Sequence, residues 1–290
     1  MLEAGIEVRG GAMSSQMGAL LASGLDELRY EPIGKRIRAV LGGGTAVDST
    51  RAVLVWEPRR IVPSYAVPVG DIRGELALAA AAAGGTEEDG AQMPALSSRP
   101  VLTPADPFAA HTAEGQVVDV RALGQDRQGA GFRLADPALA GYIVLDFRAF
   151  DGWFEEDEAN VAHPRDPFHR IDVLASSRHV RLELEGQVLA ESSRPMLLFE
   201  TMLPVRYYLP REDIRAELSP SSTQTYCAYK GQASYWSATV GDRVVPDIAW
   251  TYQEPLHDAT QVRGLTAFFD ERVDVVVDGE RHERPITPWS

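Results

Sequence analysis

A mainly β protein, arranged as two tandem domains with few short helices, is predicted by three features of the sequence. Apolar and charged residues alternate with a period of two, as in Val180, Leu182 and Leu184 against Arg181, Glu183 and Glu185. Apolar runs such as Met196 to Phe199 are too short and continuous for an amphipathic helix and fit covered strands. Finally, residues 36–76 and 179–218 carry one pattern twice.

The repeat sets Arg38 on Arg181, Leu41 on Leu184, Gly43 on Gly186, Ser49 on Ser192, Arg51 on Arg194 and Glu57 on Glu200. After a one-residue slip, Tyr65 falls on Tyr207, Pro68 on Pro210, and Asp71, Ile72 and Arg73 on Asp213, Ile214 and Arg215. Polar matches in order imply a tandem duplication, because a shared apolar pattern alone would not preserve them.

In chain order, residues 1–24 read as a flexible leader: Glu3, Glu7 and Arg9 interrupt the apolar residues, and no basic region precedes them as in a signal peptide. Residues 25–159 form a first, degenerate β domain, with an Ala-, Gly- and Pro-rich insertion near 77–107 that has the composition of a mobile loop. The proline-rich stretch from Asn160 to Phe168 opens the second, better-preserved domain, 160–290. There Gly186 turns a hairpin, and Pro210, Glu212 and Asp213 signal a short helix carrying Ile214 and Leu218. Strands then end at Gly241-Asp242 and Asp278-Gly279, and Pro285 to Ser290 reads as a strap anchored by Trp289.

The formal net charge of -14 argues against gripping phosphate backbones, so no nucleic-acid partner is expected. The tract Leu76 to Ala83 is too short to span a membrane, and a lone cysteine fits a reducing cytoplasm. Homo-oligomerisation is left open, and no motif names a cofactor.

Ser193-Arg194-Pro195, Leu198 to Thr201, Arg206 to Asp213, Cys227 to Trp236, Trp250 with Tyr252, and Ala267 to Asp270 together resemble the bacterial domain-of-unknown-function family 427, also described as nucleotidyltransferase-like. The resemblance covers nearly all of residues 165–285 and, more weakly, 25–155. It implies two β-tent-like (Mss4-like) domains, similar to folds that elsewhere hold a structural zinc or an aromatic-caged ligand. Without paired cysteines, no structural zinc is expected here. The chain also has neither a Gly-Ser followed by paired aspartates on a strand nor a phosphate-cradling glycine loop, so the nucleotidyltransferase name brings no mechanism.

The chemistry-bearing residues concentrate in Cys227 to Trp236. Cys227 is a nucleophile if a cation such as Lys230 lowers its pKa, or a small buried hydrophobe otherwise. Lys230, Arg206 and Arg194 either pair with carboxylates such as Glu200 and Asp213 or await an anion. Lys230 and Arg206 lack counterparts in the first copy, where Glu114 and His111 replace Lys230 and Cys227. Tyr207, Tyr208, Tyr229, Tyr235, Trp236, Trp250 and Tyr252 are either core residues or a stacking wall, and alternation lets at most one of Tyr235 and Trp236 face a pocket. His163, Asp166, His169 and Asp172 have metal-ligating side chains, but Pro164 and Pro167 exclude a shared helical face, so this segment reads as linker.

The candidate catalytic set is therefore Cys227, Lys230 and Tyr229, and the ligand-binding set Arg206, Tyr207, Tyr208, Trp236, Arg194, Glu200 and Trp250. No metal ligand is assigned. Two functions fit: a cytoplasmic protein that binds, or acts on, a small anionic or planar ligand in the second domain, or a non-catalytic structural or partner-binding module. In both, the domains pack as a pseudo-dimer.

Overall fold

A computed structural model describes residues 14, 16–79 and 90–290. Most of the leader before Gln16, and residues 80–89 of the insertion, lie outside the described residues.

The protein is mainly β. Its strands up to residue 160 are β1 (Arg29–Pro32), β2 (Ile37–Leu41), β3 (Gly44–Ser49), β4 (Val53–Trp56), β5 (Ser64–Pro68), β6 (Glu75–Leu78), β7 (Gly115–Ala122), β8 (Gln125–Leu134), β9 (Tyr142–Leu145), β10 (Gly152–Glu155) and β11 (Glu158–Asn160). They form an antiparallel sheet ordered β1-β4-β5-β9-β8-β7-β6 and a smaller one ordered β11-β10-β2-β3. The remaining strands are β12 (Ile171–Ala175), β13 (Val180–Leu184), β14 (Gln187–Ser192), β15 (Met196–Glu200), β16 (Arg206–Tyr208), β17 (Leu218–Cys227), β18 (Gly231–Val240), β19 (Arg243–Thr251), β20 (Thr266–Phe268), β21 (Asp274–Val277) and β22 (Glu280–Arg281). Here β12-β15-β16 and β17-β18-β19-β20 meet through a bridge between Leu209 and Thr266, while β14-β13-β21-β22 forms the smaller sheet. Element for element, the strand order is that of the first half.

The likeness extends to irregular features. Hairpins β2–β3 and β13–β14 each shift register at the matched place, between Ala39 and Val40 and between Leu182 and Glu183. Both turn on two residues of positive φ, Gly42-Gly43 and Glu185-Gly186, the backbone that a tight hairpin of right-handed twist requires. In each half a serine hydroxyl and an arginine two residues later bind one aspartate: Ser49 and Arg51 on Asp71, Ser192 and Arg194 on Asp213.

Three expectations need correction. The short helix after Pro210 is only a 3-10 turn, Arg211–Asp213, because Ile214 bridges Ala190 and Leu218 already begins β17. Met17–Ser23, read as leader, forms a helix, and the following Leu25 is buried with Met93 and Val101. Met93 and Val101 belong to the insertion, whose described part is pinned by bridges from Ala91 to Val101 and from Arg60 to Leu102. Composition cannot reveal that a few apolar residues find a buried site.

The halves touch directly. Leu203 packs on the Leu25 cluster, and the Phe168 ring lies 6.4 Å from that of Trp56. Among the described residues no helix is long and apolar enough to cross a membrane.

Candidate functional site

Where the two halves face one another they frame a partly open cavity of about 1200 Å³. Trp56, Phe147 and Trp153 contribute to its wall from the first half; Tyr208, Trp250 and Phe269 do so from the second. These rings are placed by strand ends: Trp56 closes β4, Trp153 lies in β10, and Trp250 is near the end of β19. The wall is apolar over most of its area, with charged side chains such as Arg29, Arg148 and Asp166 at its margin, the mixture found in small-molecule sites.

The polar floor is built by residues distant in sequence. Glu200 ends β15, Lys230 immediately precedes β18, and His169 lies just before β12. Lys230 Nζ donates to Glu200 Oε2, and His169 Nε2 lies 3.0 Å from Glu200 Oε1. Burial by itself would push the Glu200 carboxyl up, but Lys230 and His169 hold it well below the usual carboxylate range. Burial likewise pulls on the Lys230 ammonium, and Glu200 outweighs it and keeps the pKa above its ordinary value. The pair is therefore ionised and internally neutralised. An ionised Glu200 can only accept, so His169 Nε2 carries the hydrogen of this contact, the arrangement by which a carboxylate orients an imidazole.

The His169 ring stacks on Tyr229 with centroids 4.4 Å apart. The second histidine, His163, lies edge-on to the same tyrosine, and its Nδ1 donates to the Pro164 carbonyl at 2.8 Å. Burial lowers the His163 pKa, so the neutral ring offers Nε2 as an acceptor. Both histidines line the cavity, although the segment carrying them reads as linker. The signal that could have found them is their position next to a boundary that folds back over β15. Among the described residues no three His, Cys, Asp or Glu side chains are placed to share a metal ion.

Of the residues singled out in the sequence, Arg206, Tyr208, Trp250, Glu200, Cys227, Tyr229 and Lys230 lie on this one cavity. Arg206 is not an open cation: its guanidinium holds Glu271 through two bonds of 2.8 and 2.6 Å and lies 5.6 Å from the rings of both Trp250 and Trp289. Thr287 Oγ1 donates to the same Glu271 at 2.5 Å, which fixes the C-terminal strap. Asp270, buried beside Arg206 while Glu271 takes the guanidinium, is pushed up to about 7. Tyr208 Oη accepts from the Trp250 indole at 3.1 Å. Tyr229 Oη accepts the Asp166 amide at 2.6 Å, and burial raises its pKa, so a phenolate is not available at neutral pH. Cys227 Sγ accepts the Tyr229 amide at 3.5 Å.

Three residues sit elsewhere. Arg194 is exposed and engaged with Asp213 and Glu212. Tyr207 and Trp236 pack on the main core of the second half, and the Trp236 indole donates to Thr251 Oγ1 at 3.0 Å. Strand alternation therefore sends Tyr235, not Trp236, to the cavity. In the first half, the residue matched to Glu200 is also a buried carboxylate bound to histidine: Glu57 takes His111 Nδ1 at 3.0 Å and the Thr112 amide. Among the described residues Arg60, 4.0 Å away, is its cation in place of a lysine, and the His111 ring is covered by Phe132 at 3.6 Å.

Residues 172–279 match the family described as Domain of unknown function (DUF427). No curated protein matches the chain.

Proposed function

We propose, taking residues 172–279 as a member of that family, that the two halves are related copies packed as a pseudo-dimer and that the cavity between them binds a planar, largely apolar small molecule. One observation carries this reading: aromatic side chains of both halves converge on a space of about 1200 Å³ above a buried, charge-neutral floor. Such a space accommodates a drug-sized ligand, and ring faces reward stacking over hydration. At the floor, the pairing of Lys230 with Glu200 and of Arg206 with Glu271 favours a planar over an anionic ligand, because neither of these two cations is left to neutralise a phosphate or carboxylate.

A thermal-shift screen comparing polycyclic aromatic compounds with nucleoside phosphates tests this. Stabilisation by the aromatic set alone is expected, and it disappears in Thr225→Trp, which places a large ring at an exposed strand position on the lining. If no compound shifts the melting, the cavity is only a gap between packed halves and the chain is a structural or partner-binding module.

A further inference from the structure

Tyr252 follows β19 and is 5% exposed. Its ring is held in the core cluster that contains Tyr208, Trp250 and Phe269, and it lines the cavity. Among the described residues its hydroxyl makes no hydrogen bond. The other tyrosines buried or half-buried in this wall all have partners: Tyr208 the Trp250 indole, Tyr229 the Asp166 amide, and Tyr235 the Thr225 hydroxyl at 3.0 Å. Among the described residues, the fully covered side-chain atoms that lack a partner belong to Arg38, His111, Arg181 and Asp247, so the Tyr252 oxygen stays open to the space that its ring lines. A group bound in the cavity can therefore meet this oxygen without breaking a bond inside the folded chain.

We infer that the cavity selects an uncharged planar ligand bearing a hydrogen-bond-accepting oxygen, such as an aryl ketone, and that the Tyr252 hydroxyl donates to that oxygen. The inference rests on the cavity reading above and narrows it. Direction follows from the surroundings. Burial first, then Tyr208, Cys227 and Glu200, keeps the phenol protonated, so it enters the cavity as a donor. Charge follows from the floor: Lys230 and Glu200 neutralise one another, so the pair offers an anionic oxygen no uncompensated cation. A carbonyl takes one hydrogen bond without bringing an uncompensated charge into a low-dielectric space.

The test uses the full chain and three probes of one shape: 2-acetylnaphthalene, 2-isopropenylnaphthalene, in which a methylene replaces the carbonyl oxygen, and 2-naphthoate. Titration by tryptophan fluorescence should give wild-type binding of the ketone tighter than that of the alkene, with 2-naphthoate weakest. In Tyr252→Phe the ketone's advantage over the alkene should shrink by about three- to tenfold, the worth of one neutral hydrogen bond. Taking the ratio of ratios removes the probes' different affinity for water. The same variant should melt near the wild-type temperature, since among the described residues the hydroxyl bonds no protein group. Equal ketone preference in both proteins, tightest binding of 2-naphthoate, or a Tyr252→Phe variant that melts several degrees lower would each overturn the inference while leaving the cavity reading intact. Failure of all three probes to bind would remove the cavity reading, and this inference with it.

Discussion

Replacing Lys230 by methionine tests the electrostatic floor most directly. The substitution keeps the aliphatic stem but leaves Glu200, whose side chain is only 6% exposed, without its ammonium partner. Removing one member of a buried pair costs about 3–5 kcal/mol, because the remaining charge stays desolvated. Here the loss should fall near the lower bound, about 3 kcal/mol, since His169 still holds the other carboxylate oxygen. The double variant Lys230→Met, Glu200→Gln should recover part of this loss. A double-mutant cycle from urea melts reads the coupling directly.

The pH dependence of that coupling has a definite sign. Glu200 has a folded pKa below its ordinary 4.5, so its contribution is complete above that value and is lost as pH falls through the folded pKa. Lys230 has a folded pKa above its ordinary 10.5, so its contribution is complete below 10.5 and is lost only at higher pH. Between about pH 5 and 10 neither member of the pair itself changes charge. A coupling below about 1 kcal/mol, the value for exposed pairs, would show that water reaches the pair and would refute the reasoning.

Asp270→Asn should stabilise the protein at pH 8 but not at pH 4: a carboxyl pushed up to about 7 favours folding while protonated and opposes it once ionised, so a wild type no less stable than the variant at pH 8 would contradict the assignment. Gly231→Ala should destabilise by about 1–2 kcal/mol in urea melts, because Gly231 has φ of +88° and an added Cβ would approach Leu256 at 3.3 Å. Arg194→Ala should leave both the melting temperature and probe affinity near wild-type values, since its guanidinium is exposed and lies away from the cavity. Trp236→Phe should retain ligand-induced quenching of tryptophan emission, because Trp56, Trp153, Trp250 and Trp289 are the tryptophans lining the cavity.

The two halves show how one scaffold supports different interiors. Both place a buried carboxylate at the end of the matched strand and bring a histidine to it. The first half closes over its histidine with Phe132, whereas the second adds Lys230 and opens toward an aromatic cavity. The change is concentrated at the start of one strand, β7 against β18, where Glu114-Gly115 stands in place of Lys230-Gly231.

The mainly β class, the β13–β14 hairpin and the turns at Gly241-Asp242 and Asp278-Gly279 were legible in the sequence, because alternation and turn chemistry act over a few neighbouring residues. So was the division of Tyr235 and Trp236 between opposite faces, which follows from the two-residue repeat of a strand. Which face meets the cavity was not legible: that depends on what packs against each side of the sheet. Glu200, Lys230 and His169 are separated by 30 and 31 residues along the chain and come together only when β15, β18 and the segment before β12 are assembled. Glu271 as the partner of Arg206 and the unpaired hydroxyl of Tyr252 are likewise products of packing. Local sequence determined the strands and their turns; which charges are neutralised, and which polar group is left facing an apolar cavity, was decided only by tertiary structure, because burial and pairing depend on neighbours remote in sequence.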